Sequence, residues 1–76
     1  MPDGNEIRAL KAALLGAIDT ATALEAMKSR VMALDPHSDI DPGDLEELAR
    51  VTLAHAVASQ ALRGVVELLR TRRQVG

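Results

Sequence analysis

Prolines decide the layout of this chain before any other residue type is considered. They stand only at positions 2, 36 and 42, so two stretches of about thirty residues run without one. Proline inside a helix removes a hydrogen bond and clashes with the preceding turn, at a cost of about 3 kcal/mol. Two long uninterrupted helices are therefore allowed, and the only forced break is the segment 35–43. That segment reads Asp-Pro-His-Ser-Asp-Ile-Asp-Pro-Gly. The residue before a proline is pushed out of the α region, so Asp35-Pro36 stops the first helix near Leu34. Asp3 or Asn5 can cap its start, with Glu6 facing the positive helix end. For the second helix, Asp41 as N-cap places Pro42 at the favoured first position and Asp44 in the first turn. Its far end carries Arg70, Arg72 and Arg73, cations at the negative end of the dipole.

Side-chain spacing agrees with helices and not with strands. In the first stretch Ile7, Leu10, Leu14, Ile18, Leu24, Met27, Val31 and Leu34 recur at helical steps, with Ala17 and Ala21 filling the stripe. In the second, Val51, Ala54, Ala58, Ala61, Val65 and Leu68 form a heptad-like seam, widened by Val57, Leu62 and Leu69. Thr52, His55, Ser59, Arg63 and Arg70 lie opposite, which puts His55 on a polar edge. The expected architecture is all-α: one domain over residues 1–76, with helix 1 at about 5–34, a loop at 35–43 and helix 2 at about 44–73. The alanines and glycines of the seam (Gly16, Gly64) let two helices approach near the short end of the 8–10 Å interaxial range.

Composition then limits how such a hairpin is stabilised. Thirteen of the 36 apolar residues are Ala and none is aromatic, so the core is built from small and aliphatic side chains. Cysteine is absent, which removes disulfides and thiolate metal sites. Below about 70–80 residues one core rarely supplies more than 3–5 kcal/mol without such staples. Leu15, Met32, Leu53 and Val66 also fall outside the main stripes, more apolar surface than one partner helix can cover. Self-association, most simply a homodimer forming a four-helix bundle, supplies the missing burial. Another helical protein is the alternative partner. The interface residues expected on this reading are Ile7, Leu10, Leu14, Ile18, Val51, Ala58, Ala61, Leu62, Val65 and Leu69.

Charge is divided between the two ends. Residues 35–47 hold six acids and no Lys or Arg, whereas 63–73 hold four Arg and one Glu. In a hairpin these segments lie at opposite tips. An antiparallel dimer would set Asp39, Asp41 and Asp44 beside Arg70, Arg72 and Arg73 of the second copy. Compensation of the helix dipoles accounts for the same clusters without a dimer.

Motifs for chemistry are sparse. A twelve-residue window from Asp35 places Asp35, His37, Asp39, Asp41 and Glu46 at the ligand positions of an EF-hand loop. Ile40 stands where that loop needs Gly, and Pro42 lacks the N–H at the eighth position, so the segment reads as an acidic capping loop. His37 and His55 have no helical His partner at i+3 or i+4. No Gly-rich phosphate loop, nucleophile elbow or Cys occurs. The expectation is no catalysis, no cofactor and no metal. The tail arginines with Arg63 form a basic edge that makes an RNA- or DNA-binding bundle the opposing class. With no aromatic to stack a base and a net charge of −2, nucleic acid is the weaker reading. The acidic start is unlike a signal peptide, and residues 51–69 carry His55, Gln60, Arg63 and Glu67. No membrane span and a cytoplasmic location are expected.

One segment resembles a known family. The runs Leu34-Asp35-Pro36 and Asp41-Pro42-Gly43-Asp44-Leu45-Glu46-Glu47-Leu48-Ala49, with the ending Val65-Val66-Glu67-Leu68-Leu69-Arg70, resemble type III secretion needle and inner-rod subunits. The resemblance covers roughly the second half and lacks the aromatic residues common in that family. It implies a helical hairpin that polymerises through its C-terminal helix; a small secretion chaperone has a similar shape.

Overall fold

A computed structural model describes residues 4–75, with side chains described for 4–73. The chain is an all-α hairpin of two helices, α1 (Gly4–Met32) and α2 (Pro42–Val75). The helices pack against one another along their length, and the molecule measures 57 × 19 × 16 Å. Its radius of gyration is 17.3 Å, against about 11 Å for a compact domain of this length. It is a rod one helix pair thick.

Helix boundaries follow the local chemistry closely. Helix α1 begins at Gly4, so Asn5 sits inside the first turn and does not cap it; Asp3 lies outside the described residues. The helix ends at Met32, ahead of the expected Leu34. Its last turn tightens: the Leu34 N–H donates to the Val31 carbonyl at 3.1 Å, an i→i+3 bond. The chain then makes a turn over Asp35-Pro36-His37-Ser38. The Ser38 N–H donates to the Asp35 carbonyl (2.9 Å), and the Asp35 carboxylate accepts from the His37 N–H (3.0 Å). Asp at the first position and Pro at the second are the side chains such a turn favours. At α2 the Asp41 carbonyl accepts from the Leu45 N–H at 3.0 Å, the first bond of the helix, with Pro42 as its first residue. Ile40 and Leu45 occupy the N′ and N4 positions of a hydrophobic staple, and Ile40 is the one half-buried residue between 33 and 41.

The seam between the helices is narrower than the sequence stripes and lies on a different line. On α1 the least exposed residues include Glu6, Leu10, Ala13, Ala17, Thr20, Leu24 and Met27. On α2 they include Leu48, Val51, His55, Ala58, Leu62, Val65 and Leu69. Both sets step strictly by three and four, the spacing of a two-stranded coiled-coil seam. Among the described residues only Ala17 and Met27, at 9% and 3% exposure, are buried, and none is completely so. Ile7, Leu14, Ile18 and Leu34, placed in the α1 stripe on sequence grounds, are exposed. So are Ala54, Ala61 and Leu68 of the expected α2 seam. The strict three–four line selects small side chains at the centre, where Ala13, Gly16, Ala17 and Ala58 leave room for close approach. A Cβ added at Gly16 would stand 4.0 Å from the Ala58 Cβ, in ordinary van der Waals contact.

This geometry separates two alanines that look alike in sequence. Ala58→Leu forces three extra carbons into the seam beside Gly16 and should cost about 1–3 kcal/mol. Ala61→Leu on the exposed flank should change stability by less than about 0.5 kcal/mol. Thermal melts of both variants at one protein concentration check this; equal effects would contradict the seam.

Candidate interaction surface

The middle of the seam is polar. Thr20 of α1 and His55 of α2 meet across it, with Thr20 Oγ1 and His55 Nδ1 2.8 Å apart. The Thr20 hydroxyl also donates to the Gly16 and Ala17 carbonyls, at 2.9 and 3.1 Å. The single hydroxyl proton has these carbonyls and the ring nitrogen within reach, and the tautomer of His55 decides which of Oγ1 and Nδ1 donates across the seam. The other ring nitrogen, Nε2, lies 3.4 Å from the Ser59 hydroxyl. His55 is therefore not on a solvated polar edge. It occupies a seam position, half-buried, and its partner is a threonine that the sequence stripe passed over. A slip of one heptad would set His55 against Ala13 or Met27 and lose this bond, so the layer fixes the register.

Ion pairs tie both ends of the hairpin. At the loop end Arg30 of α1 reaches Glu47 (3.4 Å) and Asp44 (3.6 Å) of α2. At the terminal end Glu6 pairs with Arg72. Asp44 and Arg72 thus have partners inside one chain, and Arg70 pairs with Glu67 three residues earlier at 3.3 Å. Asp39 and Asp41 are exposed in the loop, and Arg73 is exposed near the end of α2. The Arg30 and Arg70 pairs are largely solvated, so each contributes about 0–1 kcal/mol and serves orientation more than stability, whereas Glu6 is half-buried beneath the exposed Arg72. Among the described residues no group of three or more His, Cys, Asp or Glu is arranged to hold a metal ion. Asp35, first ligand of the EF-hand-like window, is engaged in the turn. No helix of the described residues is long and apolar enough to cross a membrane.

The residues expected at an interface divide into two groups. Leu10, Val51, Ala58, Leu62, Val65 and Leu69 are half-buried and line the seam within one hairpin. Ile7, Leu14 and Ile18, at 46–52% exposure, stand outside it, as does Ala61. Two open grooves flank these α1 residues. One, of about 380 Å³, is lined by Ile7, Leu10, Val66 and Leu69 and rimmed by Arg70 and Arg73 at the terminal end. The other, of about 240 Å³, is lined by Leu24, Met27, Val31, Met32 and Leu48 with Lys28, at the loop end. Ile7, Leu14 and Lys28 are separated by multiples of seven and so share one helical row, which opens both grooves on the same side of the hairpin. The opposite flank carries Ala9, Gly16, Ala23 and Arg30, and a third small groove there is bordered by Ala9 and Leu68.

Comparison with protein-family models, curated proteins and solved structures found no match for the chain.

The polar layer is open to a direct check. Thr20→Val should destabilise the hairpin by about 1 kcal/mol through loss of the His55 partner, and Thr20→Ser should not. A double-mutant cycle of Thr20→Val and His55→Leu, read by urea denaturation, should give a coupling of about 0.5–1.5 kcal/mol. Additive effects would place the two side chains out of contact.

Proposed function

We propose that this chain is a small non-catalytic assembly module that works as a homodimer, two hairpins packing into a four-helix bundle. The observation that supports this is the surface a single hairpin leaves uncovered. Its accessible area is 6210 Å², whereas a compact monomer of 8.1 kDa exposes about 4,500 Å². Much of the excess is apolar: Ile7, Leu14, Leu15, Ile18, Met32, Leu45, Leu53, Val57 and Leu68 are each 46–75% exposed. Ile7, Leu14 and Ile18 lie close together on one side of α1, and exposed apolar surface gathered in this way marks an association site. At about 25 cal/mol per Å², removing even 400 Å² of it from water contributes about 10 kcal/mol before the costs of association.

The resemblance to needle and inner-rod subunits supplies a second reading, an open polymer growing through α2, whose outer face exposes Leu53, Val57 and Leu68. The closed dimer is preferred because Ile7, Leu14 and Ile18 lie on one side of α1, the side on which both end grooves open. Self-complementary faces close as two-fold dimers, and head-to-tail contacts run on into filaments.

Sedimentation equilibrium at micromolar concentration should return a fixed dimer mass. The melting temperature should rise by roughly 5 °C or more for a hundredfold increase in protein concentration. A monomer mass with a concentration-independent melt would reject the assembly role, and a broad, concentration-dependent series of large species would favour the polymer.

A further inference from the structure

We infer that the second copy docks on the face of α1 that carries Ile7, Leu14 and Ile18 on two adjacent rows, antiparallel, about a two-fold axis at Ile18. The inference rests on the self-association proposed above and specifies its face, orientation and register. Three observations lead there.

The first is a charge pattern that is its own complement. Lys11, Ile18 and Glu25 lie at intervals of seven on one exposed row of α1, each about 10.5 Å from the next. Met32 continues this row and lines the loop-end groove, so the row borders the docking side. A two-fold axis through Ile18, perpendicular to the helix, carries Lys11 onto Glu25 of the second copy and Glu25 onto its Lys11. Neither residue has an ion-pair partner among the described residues. The same axis sets Ile18 on Ile18, Leu14 beside the small Ala21, and Ile7 along the aliphatic stem of Lys28. Ile18 thus meets its own copy at the axis, and on either side of it the large side chains meet small or flexible ones.

The second is the division of charge between the ends. The axis lays the loop of one copy, with Asp39, Asp41 and Leu45, over the terminal-end groove of the other, where Arg70 and Arg73 form the rim. Leu45 is 52% exposed and is the apolar side chain of α2 nearest that groove in this arrangement. A parallel arrangement would stack acid on acid and arginine on arginine.

The third is area. A side face of a 57 × 19 Å rod offers roughly 1,000 Å², above the ~800 Å² per partner of a stable standard-size interface. The opposite flank has comparable length but is lined by Ala9, Gly16 and Ala23 and crossed at its loop end by the Arg30 pairs, with no complementary charges left unengaged in its row.

The test uses charge reversal on the full chain. Lys11→Glu alone should weaken the dimer by at least about tenfold in Kd, because two acid pairs then face each other; Glu25→Lys alone should do the same with two lysine pairs. An equimolar mixture of the two variants should associate as tightly as the native chain, since every contact in the mixed dimer joins opposite charges. The double variant carrying both changes in one chain should also dimerise normally. Both sites are exposed, and circular dichroism of each variant confirms that the helices are intact. Dimers of native strength from each single variant, or weak singles with no recovery on mixing, would overturn the Ile18-centred antiparallel face while leaving self-association standing. A native chain that sediments as a monomer would instead overturn the assembly role itself, and this inference with it.

Discussion

Everything in this molecule is conditioned by how little of a helix a single neighbouring helix can cover. A two-helix seam buries one residue line per helix, at steps of three and four, and leaves the rest of each cylinder to solvent. Here that line runs through Leu10, Ala13, Ala17, Thr20, Leu24 and Met27 on α1, and its centre is made of small residues. Small residues bring the backbones close, but they contribute little apolar area. Met27 alone among the larger described side chains is buried. The hairpin therefore has a well-defined geometry and a thin core, and most of its large aliphatic side chains among the described residues are exposed.

Within so thin a core the polar contacts define arrangement more than they stabilise it. Among the described residues the Thr20–His55 bond joins the two helices in the middle of the seam, and it is placed where the surrounding alanines would tolerate a slip. Apolar seams of uniform small residues specify register weakly; a half-buried polar pair raises the cost of every alternative alignment. The Arg30 and Glu6 pairs act at the two ends in the same sense. The Arg30 pairs are solvated and individually weak, and Glu6 is half-buried; together they close one end of the hairpin at the loop and the other near the start of α1.

The same constraint links the fold to the proposed assembly. Because the seam takes the three–four line, the bulky Ile7, Leu14 and Ile18 are turned sideways, next to two grooves that an isolated hairpin does not fill. The loop end stays acidic and the terminal end basic, since Arg30 neutralises only part of the one and Glu6 only part of the other. A second hairpin in antiparallel orientation meets both conditions at once, covering aliphatic surface and bringing opposite charges together.

Much of the fold was legible in the residues. Pro36 and Pro42 locate the break, Asp41 and Pro42 open α2, and the long runs free of proline and rich in alanine can be little else than helices, because these effects are local and act through the backbone itself. The seam was less legible. The sequence stripe holds Leu10, Ala17, Leu24 and Met27, which do face the partner helix, but also the larger Ile7, Leu14 and Ile18, which do not, and it passes over Ala13 and Thr20, which do. The strict three–four spacing of Leu10, Ala13, Ala17, Thr20, Leu24 and Met27 was the available signal, but it is carried by residues whose hydrophobicity hardly distinguishes them from a solvated face. The Thr20–His55 contact and the pairing of Arg30 with Asp44 and Glu47 could not be read at all, since they join positions 35, 14 and 17 residues apart whose alignment depends on the loop. The sequence by itself determined two helices, their ends and the charge at each tip. Only the tertiary structure decided which face of each helix is inside, because two apolar stripes competed for one partner and the closer approach of small side chains prevailed.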